Sequence, residues 1–158
     1  MSFDVLGRSA DTSFRVNNWW WRPLWDYVCA LAPEVIDERA AEAGQYNDGF
    51  FITQEQAQAL AVKLRRELEE GRVATYAMER QTRLDAMPDE PCKICDGTGI
   101  RPNGREEFGD AWFLSCHGCN GCDGKKLKRP TVTWYGFDVD TVQQFAEFCE
   151  KSEGFEIH

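Results

Sequence analysis

Cys92-Lys93-Ile94-Cys95-Asp96-Gly97-Thr98-Gly99 has the form CxxCxGxG, and Cys119-Asn120-Gly121-Cys122-Asp123-Gly124 repeats its first six positions. Each CxxC turn presents two thiolates on one side of a tight hairpin, and zinc takes four such soft ligands in a tetrahedron. The glycine two residues after the second cysteine lets backbone N–H groups turn toward the sulfurs without a Cβ clash. The spacing therefore predicts one structural Zn2+ held by Cys92, Cys95, Cys119 and Cys122. A second register is open, because Cys116-His117-Gly118-Cys119 is also CxxC and Cys116 could replace Cys122. A catalytic zinc would keep an open position beside an acid or base. The chain has two histidines, His117 and His158, and neither HxE nor HExxH occurs. No catalytic residue is assigned.

Twenty-three residues separate the two CxxC pairs, enough for a strand, a turn and a returning strand. Asp110–Ser115 would supply the approach and Lys126–Arg129 the exit, which makes residues 88–130 a zinc-ribbon-like β-hairpin module entered through the linker Pro88-Asp89-Glu90-Pro91. Seven cysteines are an odd number, five of them within Cys92–Cys122, so a disulfide framework is disfavoured. Cys29 and Cys149 fall on apolar helix faces and read as buried, inert thiols.

Upstream, residues 1–87 read as a helical body. Asn17-Asn18-Trp19-Trp20-Trp21-Arg22-Pro23-Leu24-Trp25-Asp26-Tyr27-Val28 contains a proline suited to a helix's first turn. A helix starting there buries Trp25 with Val28 and Cys29 and ends at Pro33; a weaker one runs from Pro33 to Ala43. Four Trp and one Tyr in nine residues cannot all face one way. The rings either fill the core or, with Trp19, Trp20 and Arg22 outward, form a partner-binding anchor, since Trp, Tyr and Arg dominate interface hot spots. After a turn at Asn47-Asp48-Gly49, Thr53 and Gln56 make a capping box. Ala57, Leu60, Ala61, Leu64 and Leu68 then form one apolar face up to Gly71. Arg72–Ala86 reads as a further helix.

Downstream, residues 131–158 read as a strand and helix packing back on the body. The strand is Pro130–Tyr135, rich in β-branched and aromatic residues. The helix is capped by Asp140 and carries Val142, Phe145, Phe148 and Cys149, and Gly154–Ile157 can add a short strand. The fold class expected is α+β.

The CxxCxGxG pattern resembles the repeat of the cysteine-rich domain of DnaJ-type chaperones, in which four copies make two zinc sites. The resemblance covers residues 92–124, with one full copy and one partial copy in which Lys125 and Lys126 stand where the repeat has x-Gly. It implies zinc; no His-Pro-Asp signature of a J domain is present, and chaperone activity is not implied. The Asn17–Val28 block is similar to one found in small uncharacterised bacterial and phage proteins, which implies no activity.

Hydrophobic residues make up 42% and aromatics 13% of the 158, too many for a disordered chain. No apolar run is long enough to span a bilayer, and the N-terminus lacks a secretory pattern, so a cytoplasmic protein is expected. Formal charge is −9. Residues 92–130 carry seven basic and five acidic side chains, leaving −11 on the remainder. A net acidic body repels nucleic acid, so direct binding is not expected. There is no phosphate-binding loop, dinucleotide fingerprint or nucleophile elbow. The function expected is a non-enzymatic, zinc-stabilised adaptor or regulatory protein with a protein partner. An alternative is an acidic inhibitor, of the kind phages encode, that mimics nucleic acid on a basic target. A third is weak nucleic-acid binding through Lys125, Lys126, Lys128 and Arg129 beside Trp134 and Tyr135.

Overall fold

A computed structural model describes residues 2–9, 11–46, 49–101 and 118–158. The fold is α+β, with five helices and two antiparallel sheets among the described residues. The chain divides into two compact units: residues 1–82 with 135–158, and the insert 83–134. Among the described residues, no helix is long and apolar enough to cross a membrane.

The body is more than helices. β1 (Ser2–Gly7) and β2 (Ser13–Asn17) form a hairpin, and β3 (Phe50–Ile52) lies at the opposite edge of the four-stranded sheet. The C-terminal strand β6 (Phe155–Ile157) fills the place between β1 and β3. It pairs antiparallel with both, and His158 and Asp4 exchange backbone hydrogen bonds at 2.7 and 2.9 Å. Alternation decides the buried face: Phe3, Val5, Phe155 and Ile157 are buried, while Asp4 and Glu156 face outward or sit at the margin.

Helix α1 spans Asn18–Leu31. Asn17 caps it, its side-chain oxygen accepting from the Trp19 and Trp20 amides at 3.0 and 3.2 Å. This corrects the expected start at Pro23, which lies inside the helix. Two donors satisfied by one cap fix the start a turn and a half earlier. Trp21, Leu24, Trp25 and Val28 are then buried together. Trp21 stacks on Phe3 and Trp25 with centroids 5.2 and 5.4 Å away, and meets Phe145 edge-on. Both indole N–H groups find carbonyls, Trp21 on Gly44 and Trp25 on Ala41.

The stretch after Pro33 is a turn, and helix α2 is only Glu38–Ala43, capped by Asp37. Helix α3 (Gln54–Glu69) has the expected Thr53–Gln56 capping box, and Ala57, Leu60, Ala61 and Leu64 are buried. Helix α4 is Arg72–Asp85. Helix α5 (Val139–Lys151) packs on α3 and buries Val142, Phe145, Phe148 and Cys149. Its cap is Asp138, which accepts from the Thr141 amide at 2.7 Å, and not Asp140.

Within the insert, β4 (Glu90–Pro91) pairs antiparallel with β5 (Leu127–Lys128), so part of the expected linker is a strand at the base of a hairpin. The strand expected over Pro130–Tyr135 is instead a 3-10 turn at Thr131–Trp134. Thr133 donates both its amide and its hydroxyl to the Pro130 carbonyl, at 2.9 and 2.7 Å, closing one turn where β-propensity alone favours extension.

Candidate metal centre

The two knuckles repeat each other in hydrogen bonds as well as in sequence. In the first, Cys95 and Gly97 amides donate to the Cys92 carbonyl at 3.2 and 3.1 Å, and Thr98 donates to Cys95 at 2.9 Å. In the second, Cys122 and Gly124 donate to Cys119 at 3.1 and 3.2 Å, and Lys125 donates to Cys122 at 2.8 Å. The turn requires left-handed backbone at consecutive positions, with φ of +48° and +72° at Asp96 and Gly97 and +50° and +73° at Asp123 and Gly124. Asp and Gly are the residues that tolerate it. The knuckles also clasp one another: the Cys92 amide donates to the Lys126 carbonyl at 2.9 Å, and the Cys119 amide to the Gly99 carbonyl at 2.7 Å.

This arrangement brings the sulfurs of Cys92, Cys95, Cys119 and Cys122 within 4.8 Å of one another, all four residues being buried. Cys92 and Cys119 sulfurs are 3.8 Å apart, as are those of Cys95 and Cys122. Tetrahedral zinc with bonds of about 2.3 Å separates its sulfurs by about that distance. The four are free thiols. Together they can hold a metal ion such as zinc. Among the described residues this is the one such cluster of metal-ligating groups. The alternative ligand Cys116, with His117 and the Asp110–Ser115 approach, lies outside the described residues.

Backbone donors reach the sulfurs too. The Gly99 amide lies 3.3 Å from the Cys95 sulfur. Burial opposes ionisation of Cys95, but the Gly99 N–H and the facing thiols outweigh it and bring its pKa down to about 7. Burial pushes Cys122 up to about 11, although the Lys126 amide points at it. A metal ion must displace the thiol protons of this cluster as it binds. The remaining cysteines differ. Burial raises Cys29 to about 12 and drives Cys149 far above the ordinary thiol range, which suits inert packing residues.

The proposed partner anchor is divided by the structure. Trp19 is 38% exposed and meets Tyr135 edge-on with centroids 4.8 Å apart. Trp20 is half-buried over Gly136, where an added Cβ would lie 2.5 Å from its ring, so glycine is required for the approach. Arg22 donates to the Asn18 side chain at 2.9 Å. Phe137 then packs on Tyr27 and Tyr76, and Arg80 holds the Tyr135 carbonyl at 2.8 Å. Residues 135–137 therefore form a strap over α1 and α4 that the sequence did not reveal, because the contacts join positions more than fifty residues apart.

The basic stretch is also divided. Arg129 donates to the carbonyls of Leu84 and Met87, closing the chain that leaves α4. Lys128 lies 5.8 Å from the centre of the Trp134 ring. Lys125 and Lys126 are exposed.

No protein-family model, curated protein or solved structure matches this chain. The likeness to the DnaJ-type repeat and to phage proteins thus rests on the quoted residues alone.

Proposed function

We propose that the chain is a non-enzymatic protein-binding protein whose inserted module is stabilised by one structural zinc ion. The observation that carries this reading is the closed set of four buried sulfurs on two matching, mutually hydrogen-bonded knuckles. Four protein ligands leave a tetrahedral ion no position for water or substrate, which favours a structural over a catalytic metal. Binding energy of such an ion is folding energy for the hairpin. The exposed part of Trp19, with Arg22 one helical turn on, offers the amphipathic ring and cation that interfaces favour. Engagement of Arg129 by α4 carbonyls argues against the basic stretch as a nucleic-acid surface, as does the net charge of −9.

Protein purified without chelator should carry about one zinc per chain by metal analysis. Cys92→Ser should lose it. Metal-free protein with a Cys92–Cys95 disulfide would overturn the metal assignment. A partner isolated with the parent protein should bind Trp19→Ala at least about thirtyfold more weakly, as for a hot-spot residue. Unchanged affinity in Trp19→Ala and Arg22→Ala would move the interface elsewhere.

A further inference from the structure

The two knuckles share the form CxxCxG and the same turn hydrogen bonds, and they part at their closing residue. Gly99 closes the first with φ of +82°, and Lys126 closes the second with φ of +70°. Any side chain other than that of Gly, Asn or Asp is disfavoured there, so a lysine stands where glycine would be easier. Its backbone is committed on both sides of the centre. The Lys126 amide points at the Cys122 sulfur, and its carbonyl accepts from the Cys92 amide at 2.9 Å. Its stem runs along the first knuckle, since a Cβ on Gly99 would lie 3.2 Å from Lys126 Cγ.

Charge gives that placement a purpose. Four thiolates around a divalent ion leave two net negative charges, enclosed here by residues that are buried. The described stretches 92–101 and 118–130 hold six basic residues against two acidic ones, Asp96 and Asp123, within a protein of net charge −9. We infer that Lys126 is a non-ligating determinant of metal affinity, supplying a cationic side chain that stabilises the anionic metal–thiolate centre. This rests on the zinc reading above. The lysines beside the knuckles then serve the ion rather than an external anion.

The test is zinc affinity of the full chain, measured by competition with a chromophoric chelator, for the parent, Lys126→Met and Lys126→Arg. Both variants keep a long side chain on the same left-handed backbone, so they separate charge from strain. Lys126→Met should bind zinc about two- to fivefold more weakly, within the range of a solvent-screened charge interaction. Lys126→Arg should stay near the parent. The gap between Lys126→Met and the parent should shrink at about 1 M salt, where screening reaches roughly 3 Å. Equal affinity in Lys126→Met and the parent overturns the inference. So does an equal loss in both variants, which would mark a purely steric role. A parent protein that takes up no zinc overturns the metal assignment itself, and the inference with it.

Discussion

Trp25 and Trp19 lie six residues apart on one helix and face opposite fates. Trp25 is fully buried, stacked on Trp21 and hydrogen-bonded to Ala41. Trp25→Ala should cost about 3–5 kcal/mol, a large share of a small domain's stability, and give little folded protein. Trp19 keeps over a third of its surface in solvent, so Trp19→Ala should cost about 1 kcal/mol, a typical value for point substitutions. Urea denaturation of both variants checks the difference; similar losses would mean that the Tyr135 contact is as important as the core. The burial of Trp25 and Val28 was legible from helical spacing. That Trp20 is covered was not, because Gly136 is the residue that admits its ring and nothing in the local sequence joins the two. The helix start was misplaced since Asn17 and Pro23 are both initiation signals. The capping oxygen, with two amides to satisfy, prevailed.

Helices with strong periodicity and complete caps could be read directly, α3 above all. Its Thr53–Gln56 box and apolar face are present as spelled out in the sequence. The C-terminal strand expected within Gly154–Ile157 is there as β6. β3 could not be read: its three residues are too few for alternation to show, and it is held by pairing with the distant β6. The reverse error occurred at Thr131–Trp134, where strand-favouring residues yield to a local hydroxyl and amide bonding the same carbonyl. Where α3 meets α4, Glu67 accepts from Arg72 and lies 3.5 Å from the Tyr27 hydroxyl. The Arg72 hydrogen bond holds the Glu67 carboxyl below the usual carboxylate range, against the opposing effect of burial. A carboxylate depressed in the folded state stabilises fully above its unfolded pKa, about 4.3, and loses that contribution as pH falls through the lower folded value. Glu67→Gln should therefore be less stable than the parent at pH 7, by under about 1 kcal/mol since the pair reaches solvent. Once pH falls below the folded value the two should converge, as urea midpoints across pH would show. A constant gap would mean that Glu67 acts through packing alone.

Among the described residues, two cores are built from different chemistry and share no residue. One is a hydrophobic cluster of aromatic and aliphatic side chains drawn from residues 3–73 and 142–157. The other consists of Cys92, Cys95, Cys119 and Cys122. The close approach of these four cysteines was readable because CxxC fixes sulfur geometry within four residues. The first unit is assembled from segments on both sides of the insert, residues 1–82 and 135–158. A core held by a metal responds to chelation, and one held by apolar burial does not. On the zinc reading, a strong chelator at neutral pH should remove the metal and raise amide exchange at Cys92–Gly99 and Cys119–Lys126. Near-UV circular dichroism of the stacked Trp21–Trp25 pair should stay largely unchanged. Thermal unfolding of the zinc-loaded protein should likewise depart from a single two-state transition, with a zinc-sensitive step and a zinc-independent step. Acid should act like chelator on the first step, because thiolate ligands must be reprotonated as the ion leaves. If chelation abolished the tryptophan signal together with the cysteine-module protection, the body would depend on the ion for its own fold, and the two cores would have to be regarded as one cooperative unit.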